Sequence, residues 1–348
     1  MLMNTKLKAA TLLISSALTA YSVQASSYSD VIVFGDSLSD VGNLHALDFA
    51  GGPAEGQTYG ARFSNGPVLV EYIASSIKGI DVTANPLSPS LHLTGNNVGT
   101  NYAVAGAKSL DEDGDPTTFD TNLPTQINAY LAANNFSSDS NALYLMTIGG
   151  NDIRAARDII AYNINQTTTS ETPRLDAYDF IYQAAEGTVT EIAKLAATGA
   201  QDIILINAPD IGAIPETPLI QSQVIAGSSG FIEKLQAKYL NYSTSNLTNT
   251  YNALTKIGLA KLTRELNSQG LEPNIQVFDF NGIFQSIIKS PSTYDFTNVS
   301  EACNYIFSAQ EIKPECFIST DYLFFDEVHP TTKGHSIAAA ALIQDLQL

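Results

Sequence analysis

Residues 31–43 read VIVFGDSLSDVGN, and this stretch decides the fold. Its apolar, β-branched start is typical of a buried strand, and Gly35 begins the turn that ends the strand. The turn delivers Ser37 to the strand tip, where a rigid sheet fixes the serine while its hydroxyl stays accessible. A serine in that place is a candidate nucleophile, provided that the chain supplies a base, an orienting carboxylate and oxyanion donors.

Two later segments offer the groups that such a serine requires. Residues 326–330 read DEVHP and place the Asp326 carboxylate three residues before the His329 imidazole. An imidazole takes a serine proton and later returns it to the leaving alcohol, while a carboxylate on its other nitrogen fixes the tautomer. Residues 149–152 read GGND and follow another apolar run, so the Asn151 amide is a candidate donor to an oxyanion.

Each of these residues also has a structural interpretation. Ser37 stands where a serine would cap a helix after the strand, and Asn151 stands where an asparagine would occupy a turn after two glycines. Asp326 and His329 could form a surface pair ahead of a C-terminal helix. The occurrence of all three motifs in one chain favours the catalytic interpretation.

Strand-like and helix-like segments alternate along the chain. Apolar runs predict strands at residues 31–34, 142–148, 203–207 and 275–280, with a shorter one at 101–105. Helical spacing predicts helices at residues 67–77, 123–131, 178–197 and 231–266, and a last helix from residue 331 or 332. This alternation predicts an α/β fold, a three-layer α/β/α sandwich with a mainly parallel sheet. Catalytic groups in such sheets lie at the carboxyl ends of the strands.

The start of the chain has the composition of a signal peptide, residues 1–25, rather than of a folded element. Two lysines precede an apolar stretch at residues 9–20 that is too short to span a bilayer, and residues 23–25 (VQA) fit a cleavage site. An uncleaved anchor is the alternative. We expect export to the periplasm or the cell exterior, a mature chain without a transmembrane segment, and a single domain over residues 26–348.

Charge and cysteine content narrow the range of partners. The chain has 17 Lys and Arg against 35 Asp and Glu, a net charge of −18 that becomes −20 without residues 1–25. This balance argues against a nucleic-acid partner, because phosphate contacts need a basic surface, but it permits neutral or zwitterionic lipids.

Cys303 and Cys316 predict one disulfide in an exported protein. Two free thiols are the alternative, and the pair offers too few ligands for zinc.

Five motifs together resemble a known family, the GDSL esterases and lipases, also called SGNH hydrolases. The resemblance runs through nearly the whole mature chain. In order, the motifs are FGDSLSDVGN (34–43), RFSNG (62–66), NYAVAGA (101–107), GGND (149–152) and DEVHP (326–330). The resemblance implies the flavodoxin-like SGNH fold.

The resemblance also implies a role for each matching residue. Ser37, Gly106, Asn151 and His329 match the four marker residues of the family, and Asp326 matches its triad carboxylate. The backbone N–H groups of Ser37 and Gly106 and the Asn151 amide are the implied oxyanion donors. Glycine suits position 106 because a bare backbone permits a substrate to approach closely.

Several neighbouring residues are expected to support the site. Three carboxylates adjoin the motif residues and should hold the loops by hydrogen bonds: Asp36, Asp40 and Asp152. Arg62 and Asn65 should likewise order a loop near the cleft. The last helix also contains His335, which we expect to pack or to lie on the surface.

The expected function is that of an exported serine hydrolase that cleaves lipid or short-chain acyl esters through an acyl-enzyme, with no cofactor and no metal. The RFSNG motif and the export signal are most similar to secreted bacterial esterases, phospholipases and haemolysins. A lipid acyltransferase or a carbohydrate deacetylase would use the same residues. An exported solute-binding protein, whose serine and histidine only bind a ligand, is the alternative from a different class.

Overall fold

The computed structural model describes residues 28–47, 59–111, 120–164 and 173–347, so the expected signal peptide lies outside it. The strands in these ranges are β1 (Val31–Gly35), β2 (Leu143–Thr147), β3 (Asp202–Ile206), β4 (Asn274–Phe278), β5 (Asn298–Ala302) and β6 (Tyr322–Phe324). The α-helices are α1 (Leu69–Lys78), α2 (Leu123–Ala133), α3 (Gly150–Ile164), α4 (Pro173–Ala197), α5 (Glu216–Gly227), α6 (Phe231–Lys238), α7 (Leu240–Ser268), α8 (Phe280–Lys289), α9 (Ile306–Ala309) and α10 (Thr332–Leu346). Of the described helices, none is long and apolar enough to cross a membrane.

The main sheet is parallel throughout and has the strand order β1-β2-β3-β4. Its register pairs Gly35 with Thr147, Thr147 with Ile206, and Ile206 with Phe278. The carboxyl ends of all four strands therefore meet at one edge. The residues that follow β1 and β2, among them Ser37 and Asn151, begin at this edge.

Alternate residues of the strands pack on opposite faces of the sheet. Val31 and Val33 face a core that includes side chains of α1 and α10, whereas Ile32 and Phe34 face a core built with α2, α4 and α7. All four side chains are buried, and each contributes about 1.5–3 kcal/mol by leaving water. Helices cover both faces, which confirms the predicted three-layer α/β/α sandwich.

The elements predicted from the sequence differ from the structure in several places. Residues 101–105 run beside β1, and the Tyr102 and Val104 N–H groups donate to the Val33 and Gly35 carbonyls, but Asn101 forms only two isolated bridges and the segment is no regular strand. The Asn101 side chain accepts the Ala103 N–H at 3.0 Å and so competes with a ladder. The long helix expected at residues 231–266 is two helices, α6 and α7. Helices α3, α5, α8 and α9 and strands β5 and β6 were not predicted.

A second, two-stranded parallel sheet, β5 with β6, lies outside the main sheet. A disulfide between Cys303 and Cys316 closes the loop that follows β5, with the Cα atoms 5.7 Å apart. The Cys303 and Asn304 N–H groups donate to the Phe324 and Phe325 carbonyls. The loop is therefore held against the chain that leads directly to Asp326.

Candidate active site

Ser37 lies in a short turn directly after β1. Gly35 has φ 142°, and a Cβ there would lie 2.0 Å from the Thr147 carbonyl oxygen, so only glycine lets β1 approach β2 here. The Asp36 carbonyl accepts the Ser39 and Asp40 N–H groups at 3.0 Å and closes the turn. No α-helix begins here, since α1 starts at Leu69, so Ser37 is not a helix cap.

The structure brings Ser37, His329 and Asp326 together. His329 Nε2 lies 2.7 Å from Ser37 Oγ, and His329 Nδ1 lies 2.9 and 2.8 Å from the two Asp326 oxygens. Asp326 Oδ1 also accepts the Val328 and His329 backbone N–H groups at 2.8 Å, which fixes the carboxylate locally. The exposed fractions are 8% for Ser37, 1% for Asp326 and 4% for His329. Asp326 and His329 are thus a buried pair, not a surface pair.

The RFSNG segment holds the loop that carries His329. The Phe63 ring centroid lies 5.1 Å from that of His329. The Ser64 hydroxyl donates to the Pro330 carbonyl at 3.0 Å, and Asn65 Oδ1 accepts the Thr332 N–H at 2.9 Å. This segment therefore sets the position of the imidazole and of the first turn of α10. Asn65 orders a loop here, as expected, whereas the packing of Phe63 on the imidazole was not anticipated.

Arg62 anchors the same segment from the opposite side. Its guanidinium donates to both Glu71 oxygens, at 3.1 and 2.6 Å, and to the Gly60 carbonyl at 2.7 Å. Arg62 and Glu71 are both buried, so this charge-assisted pair fixes α1 to the loop rather than facing the cleft.

The second segment at the site contains Gly106. Its φ is 85°, and a Cβ built there would have no atom within 4 Å, so the residue borders open space. Asp40 joins this segment to the turn of Ser37: one oxygen accepts the Gly42 and Asn43 N–H groups at 2.7 Å, and the other accepts the Ala105 N–H at 2.9 Å. Within the described part of the chain, the backbone N–H groups of Ser37 and Gly106 have no hydrogen-bond acceptor.

Asn151 lies in the first turn of α3 rather than in a loop. Its Nδ2 donates to the Ala107 carbonyl at 3.0 Å, and its Oδ1 accepts Arg154 Nη1 at 3.0 Å. One of the two Nδ2 hydrogens remains for a substrate oxygen. The N-terminus of α3 adds the positive end of its helix dipole at this position.

Two buried carboxyl groups, Asp36 and Asp152, lie next to the residues of the site. Burial raises the pKa of Asp36 to about 7 and that of Asp152 to about 6. Asp36 Oδ1 accepts the Leu38 N–H at 3.0 Å and so shapes the Ser37 turn. Asp152 accepts the Ser109 N–H at 3.0 and 3.1 Å and the Ser109 hydroxyl at 3.1 Å. Both carboxyl groups hold loops and neither contacts the Ser37 hydroxyl.

An ion-pair cluster beside Asn151 was missed by the sequence reasoning. Arg154 donates to both Glu216 oxygens, at 2.8 and 2.5 Å, and Arg157 donates to the same carboxylate at 2.8 Å. Burial alone would raise the pKa of Glu216, but the hydrogen bonds and charges of Arg154 and Arg157 lower it to about 2. The spacing of Asn151 and Arg154 on one helix face was a usable signal, but α3 itself was not predicted.

The disulfide-closed loop also reaches the site. Its short helix α9 carries Phe307, whose ring centroid lies 6.1 Å from that of His329. The buried Glu327 carboxylate accepts the Ser308 N–H and hydroxyl, both at 2.7 Å, and so holds α9 beside the loop that carries Asp326 and His329. Apolar side chains from elsewhere also line the cleft above Ser37: Leu38, Pro209, Ile211 and Val328. Across the described ranges, no cluster of three His, Cys, Asp or Glu side chains is placed to hold a metal ion.

Comparison with known proteins assigns the chain to a family. The model of the GDSL-like lipase/acylhydrolase family matches residues 31–342. The chain belongs to this family. The resemblance expected from the motifs is thus confirmed, and with it the prediction of a carboxylic ester hydrolase at the level of the family.

Relatives within the family have different names. The chain is 24% identical to a phosphatidylcholine-sterol acyltransferase of Aeromonas hydrophila, over 82% of this chain and 70% of that protein. It is 26% identical to Lipase 1 of Photorhabdus luminescens, over 90% of this chain but only 50% of that lipase. It is 24% identical to a thermolabile hemolysin of Vibrio parahaemolyticus, over 92% and 65%. A solved extracellular lipase of Streptomyces rimosus is 16% identical with a TM-score of 0.41, covering 91% of this chain and 98% of that one.

Proposed function

We propose that this protein is an exported serine hydrolase that cleaves carboxylic esters of lipids or short acyl chains through an acyl-enzyme. The observation that carries the proposal is the chain of contacts from Ser37 Oγ to His329 Nε2 at 2.7 Å and from His329 Nδ1 to Asp326. This is the arrangement in which a base activates a serine while a carboxylate orients the base.

The reaction proceeds in two displacements at the ester carbonyl. His329 Nε2 takes the Ser37 proton as Oγ bonds to the carbonyl carbon, and the tetrahedral intermediate then expels the alcohol, which receives that proton. Water enters, gives a proton to His329 and forms a bond to the acyl carbon. Ser37 Oγ leaves with the proton from His329, and the acid is released. Asp326 stays ionised and stabilises the imidazolium in both steps.

Three donors are proposed to receive the developing negative charge. The Ser37 and Gly106 N–H groups have no other acceptor in the described part of the chain, and Asn151 Nδ2 keeps one hydrogen. Loss of one such donor typically costs about 3 kcal/mol of transition-state stabilisation. The side-chain donor is the one that a substitution can remove.

The substrate class follows from the cleft and from the relatives. Leu38, Pro209 and Ile211 give the cleft an apolar side, which suits an acyl chain. Relatives are named for a lipase, a hemolysin and a phosphatidylcholine-sterol acyltransferase, which supports lipid esters as the substrates. Transfer of the acyl group to an alcohol would use the same residues, with the alcohol replacing water in the second displacement.

Export is supported by two features of the chain. Residues 1–25 carry two lysines followed by a short apolar stretch, and the structure contains a disulfide, which persists in oxidising compartments. N-terminal sequencing of the protein recovered from the periplasm or medium should begin near Ser26. Recovery of the intact N-terminus in the membrane fraction would favour an uncleaved anchor.

The function is tested by hydrolysis of nitrophenyl esters from acetyl to palmitoyl, and of phosphatidylcholine, by the wild type and the Ser37→Ala variant. Turnover should fall by several orders of magnitude in Ser37→Ala. Ser39→Ala is a matched control, because the Ser39 hydroxyl bonds Thr147 rather than His329 and its loss should leave most of the activity. Equal turnover by Ser37→Ala and the wild type would reject the nucleophile. Absence of turnover together with tight, unreactive ligand binding would favour the solute-binding alternative.

A further inference from the structure

Arg154 joins the candidate oxyanion donor to the ion-pair cluster at the start of α5. Its Nη1 donates to Asn151 Oδ1 at 3.0 Å, and its other donors bind Glu216. The Arg154 side chain is 31% exposed and lines the same cleft as Ser37 and His329. The proposed reaction assigns this guanidinium no part.

The contact decides which end of the Asn151 amide faces a substrate. A rotated amide would exchange its oxygen and nitrogen, and only the nitrogen can donate to an oxyanion. Arginine has donors and no acceptor, so it fixes Oδ1 on its own side, and the Ala107 carbonyl accepts Nδ2 on the other. A flipped amide would place NH₂ against the guanidinium and Oδ1 against a carbonyl oxygen, losing both hydrogen bonds.

Glu216 holds Arg154 in the orientation that this contact requires. The pairing is bidentate, which restricts the plane of the guanidinium. Glu216 is itself fixed by Arg157, which is buried, and by its backbone N–H, which donates to the Glu327 carbonyl at 2.8 Å. Glu327 directly follows Asp326, so the donor side and the triad side of the site share one framework.

The same pairing argues against an anion-binding role for Arg154. Two of its nitrogens already donate to a carboxylate that is ionised at neutral pH, since the arginines lower the pKa of Glu216 to about 2 although burial opposes this. A phosphate would have to displace Glu216 or share the guanidinium with it.

We propose that Arg154 is a positioning residue that acts through Asn151, holding its Nδ2 toward the oxyanion; this inference rests on the proposed function. An oxyanion donor stabilises the transition state more than the bound ester, so Arg154 raises kcat and has little effect on the KM of neutral esters. The positive charge beside Oδ1 also polarises the amide and strengthens its remaining N–H as a donor.

A double-mutant cycle on a neutral nitrophenyl ester tests the proposal. Asn151→Ala should lower kcat by about 10²–10³-fold. Arg154→Met should lower kcat by about tenfold or more with KM little changed, while Glu216 keeps Arg157 as a partner and the protein stays folded. The double variant should be no slower than Asn151→Ala alone, because Arg154 then has no amide to position. Arg264→Met is the control, since Arg264 is exposed on α7 and, among the described residues, has no hydrogen bond to Glu216 or Asn151, so its kcat should stay near the wild-type value.

Two kinetic outcomes would overturn the proposal. Losses that multiply in the double variant would show that Arg154 acts independently of Asn151. A rise in the KM for phosphatidylcholine, with nitrophenyl ester turnover unchanged, would instead make Arg154 a subsite for the phosphate of the head group.

A readout that does not need turnover separates this inference from the proposed function. The two ¹⁵N-coupled proton signals of the Asn151 side chain should be sharp and in slow exchange in Ser37→Ala. They should exchange faster or broaden in Ser37→Ala with Arg154→Met. Unchanged amide signals would reject the positioning role even in an active enzyme. Changed signals in a protein without Ser37-dependent turnover would instead reject the hydrolase and keep the contact.

Discussion

The Asp326 carboxylate makes four contacts within its own loop, two to His329 Nδ1 and two to the backbone N–H groups of Val328 and His329. Both carboxylate oxygens accept, so they fix the imidazole and require its Nδ1 to carry the hydrogen, which leaves Nε2 available for the proposed role as base. This arrangement is local, so the three-residue spacing alone was enough to predict it.

Replacing this carboxylate by an amide tests that role. In Asp326→Asn the side-chain NH₂ can donate to Nδ1 and so favour the wrong tautomer, and kcat should fall by about 10⁴-fold while KM changes little. The measurement is steady-state hydrolysis with a Tm control on both proteins. A kcat within tenfold of the wild type would contradict the triad assignment of Asp326.

His335 is a residue whose burial was left open by the sequence. His335 is a residue of α10 and its side chain is buried. Neither of its ring nitrogens has a hydrogen-bond partner among the residues described. Burial, aided by the nearby His329, lowers the pKa of His335 to about 3. Between pH 3 and 6.5 the unfolded chain therefore binds a proton that the folded chain does not, and stability is lost as the pH falls through this window.

His335→Leu should remove both effects. We expect it to raise the free energy of unfolding by about 1–3 kcal/mol at neutral pH, because two unpaired polar atoms leave the core, and to reduce the loss of stability in acid. Urea unfolding at pH 4.5 and 7.5 measures both, with the exposed His45→Leu as the control. An acid sensitivity equal to that of the wild type would contradict the buried, unpaired state of His335.

Three helices meet in a hydroxyl network behind the cleft. Asp152 of α3 accepts from Ser109, whose hydroxyl is shared with Thr188 of α4, at 3.0 Å, and Tyr251 of α7, at 3.2 Å. Thr188 and Tyr251 also bond each other at 2.7 Å. The network connects the helix that carries Asn151 to the two helices packed against it. A polar network of this kind fixes one arrangement when all members are paired.

The network should also make stability depend on pH. Burial raises the pKa of Asp152 to about 6, so the folded chain binds a proton more tightly than the unfolded chain, and stability is lost as the pH rises from about 4 through 6. This contribution, about 3 kcal/mol, has the opposite sign to that of His335. Asp152→Asn should remove it while keeping an acceptor for the Ser109 N–H.

Unfolding by urea between pH 4 and 7.5 checks this prediction. The exposed Asp179→Asn substitution on α4 is the matched control and should leave the pH dependence as in the wild type. If Asp152→Asn and the wild type lose stability in parallel as the pH rises, Asp152 does not retain a proton in the folded state.

For the molecule as a whole, the disulfide joins the outlying β5–β6 region to the loop beside His329. Closing a loop of 13 residues restricts the unfolded chain and stabilises the protein by about 3 kcal/mol. A Cys303→Ser, Cys316→Ser double variant should therefore unfold at lower urea concentration, and a reducing agent should shift the wild type in the same direction. A variant as stable as the wild type in both conditions would show that the loop is fixed by its backbone contacts alone.

The parts of the molecule that could be predicted from the sequence are those whose residues are close together in the chain. Strands β1, β2 and β3 are buried apolar runs, β4 alternates polar and apolar residues, and Asp326 and His329 lie in one loop, so pattern and spacing predicted them. Helix α3 was missed because it begins at Gly150 within a GGND segment, where local preference opposes a helix and tertiary packing supplies one. The signal peptide and the domain limits lie outside what the structure tests and stay predictions.

The contacts that remained hidden join residues far apart in the chain. Arg154 and Glu216 are separated by 62 residues in the sequence. Phe63 and His329 are much further apart in the sequence, although their rings pack against each other. No periodicity encodes such pairs, because they depend on how helices and loops assemble around the carboxyl edge of the sheet. The structure was needed for these contacts, which hold Arg154 beside Asn151 and the Phe63 ring against His329.

The most direct test of the account is covalent labelling of the folded protein with an alkyl phosphonate ester, followed by mass spectrometry of its peptides. The account predicts one phosphonyl group, on Ser37, and its loss or strong slowing in His329→Ala. Labelling of another residue, or labelling of Ser37 at the same rate with and without His329, would contradict the claim that this serine and histidine form the catalytic pair.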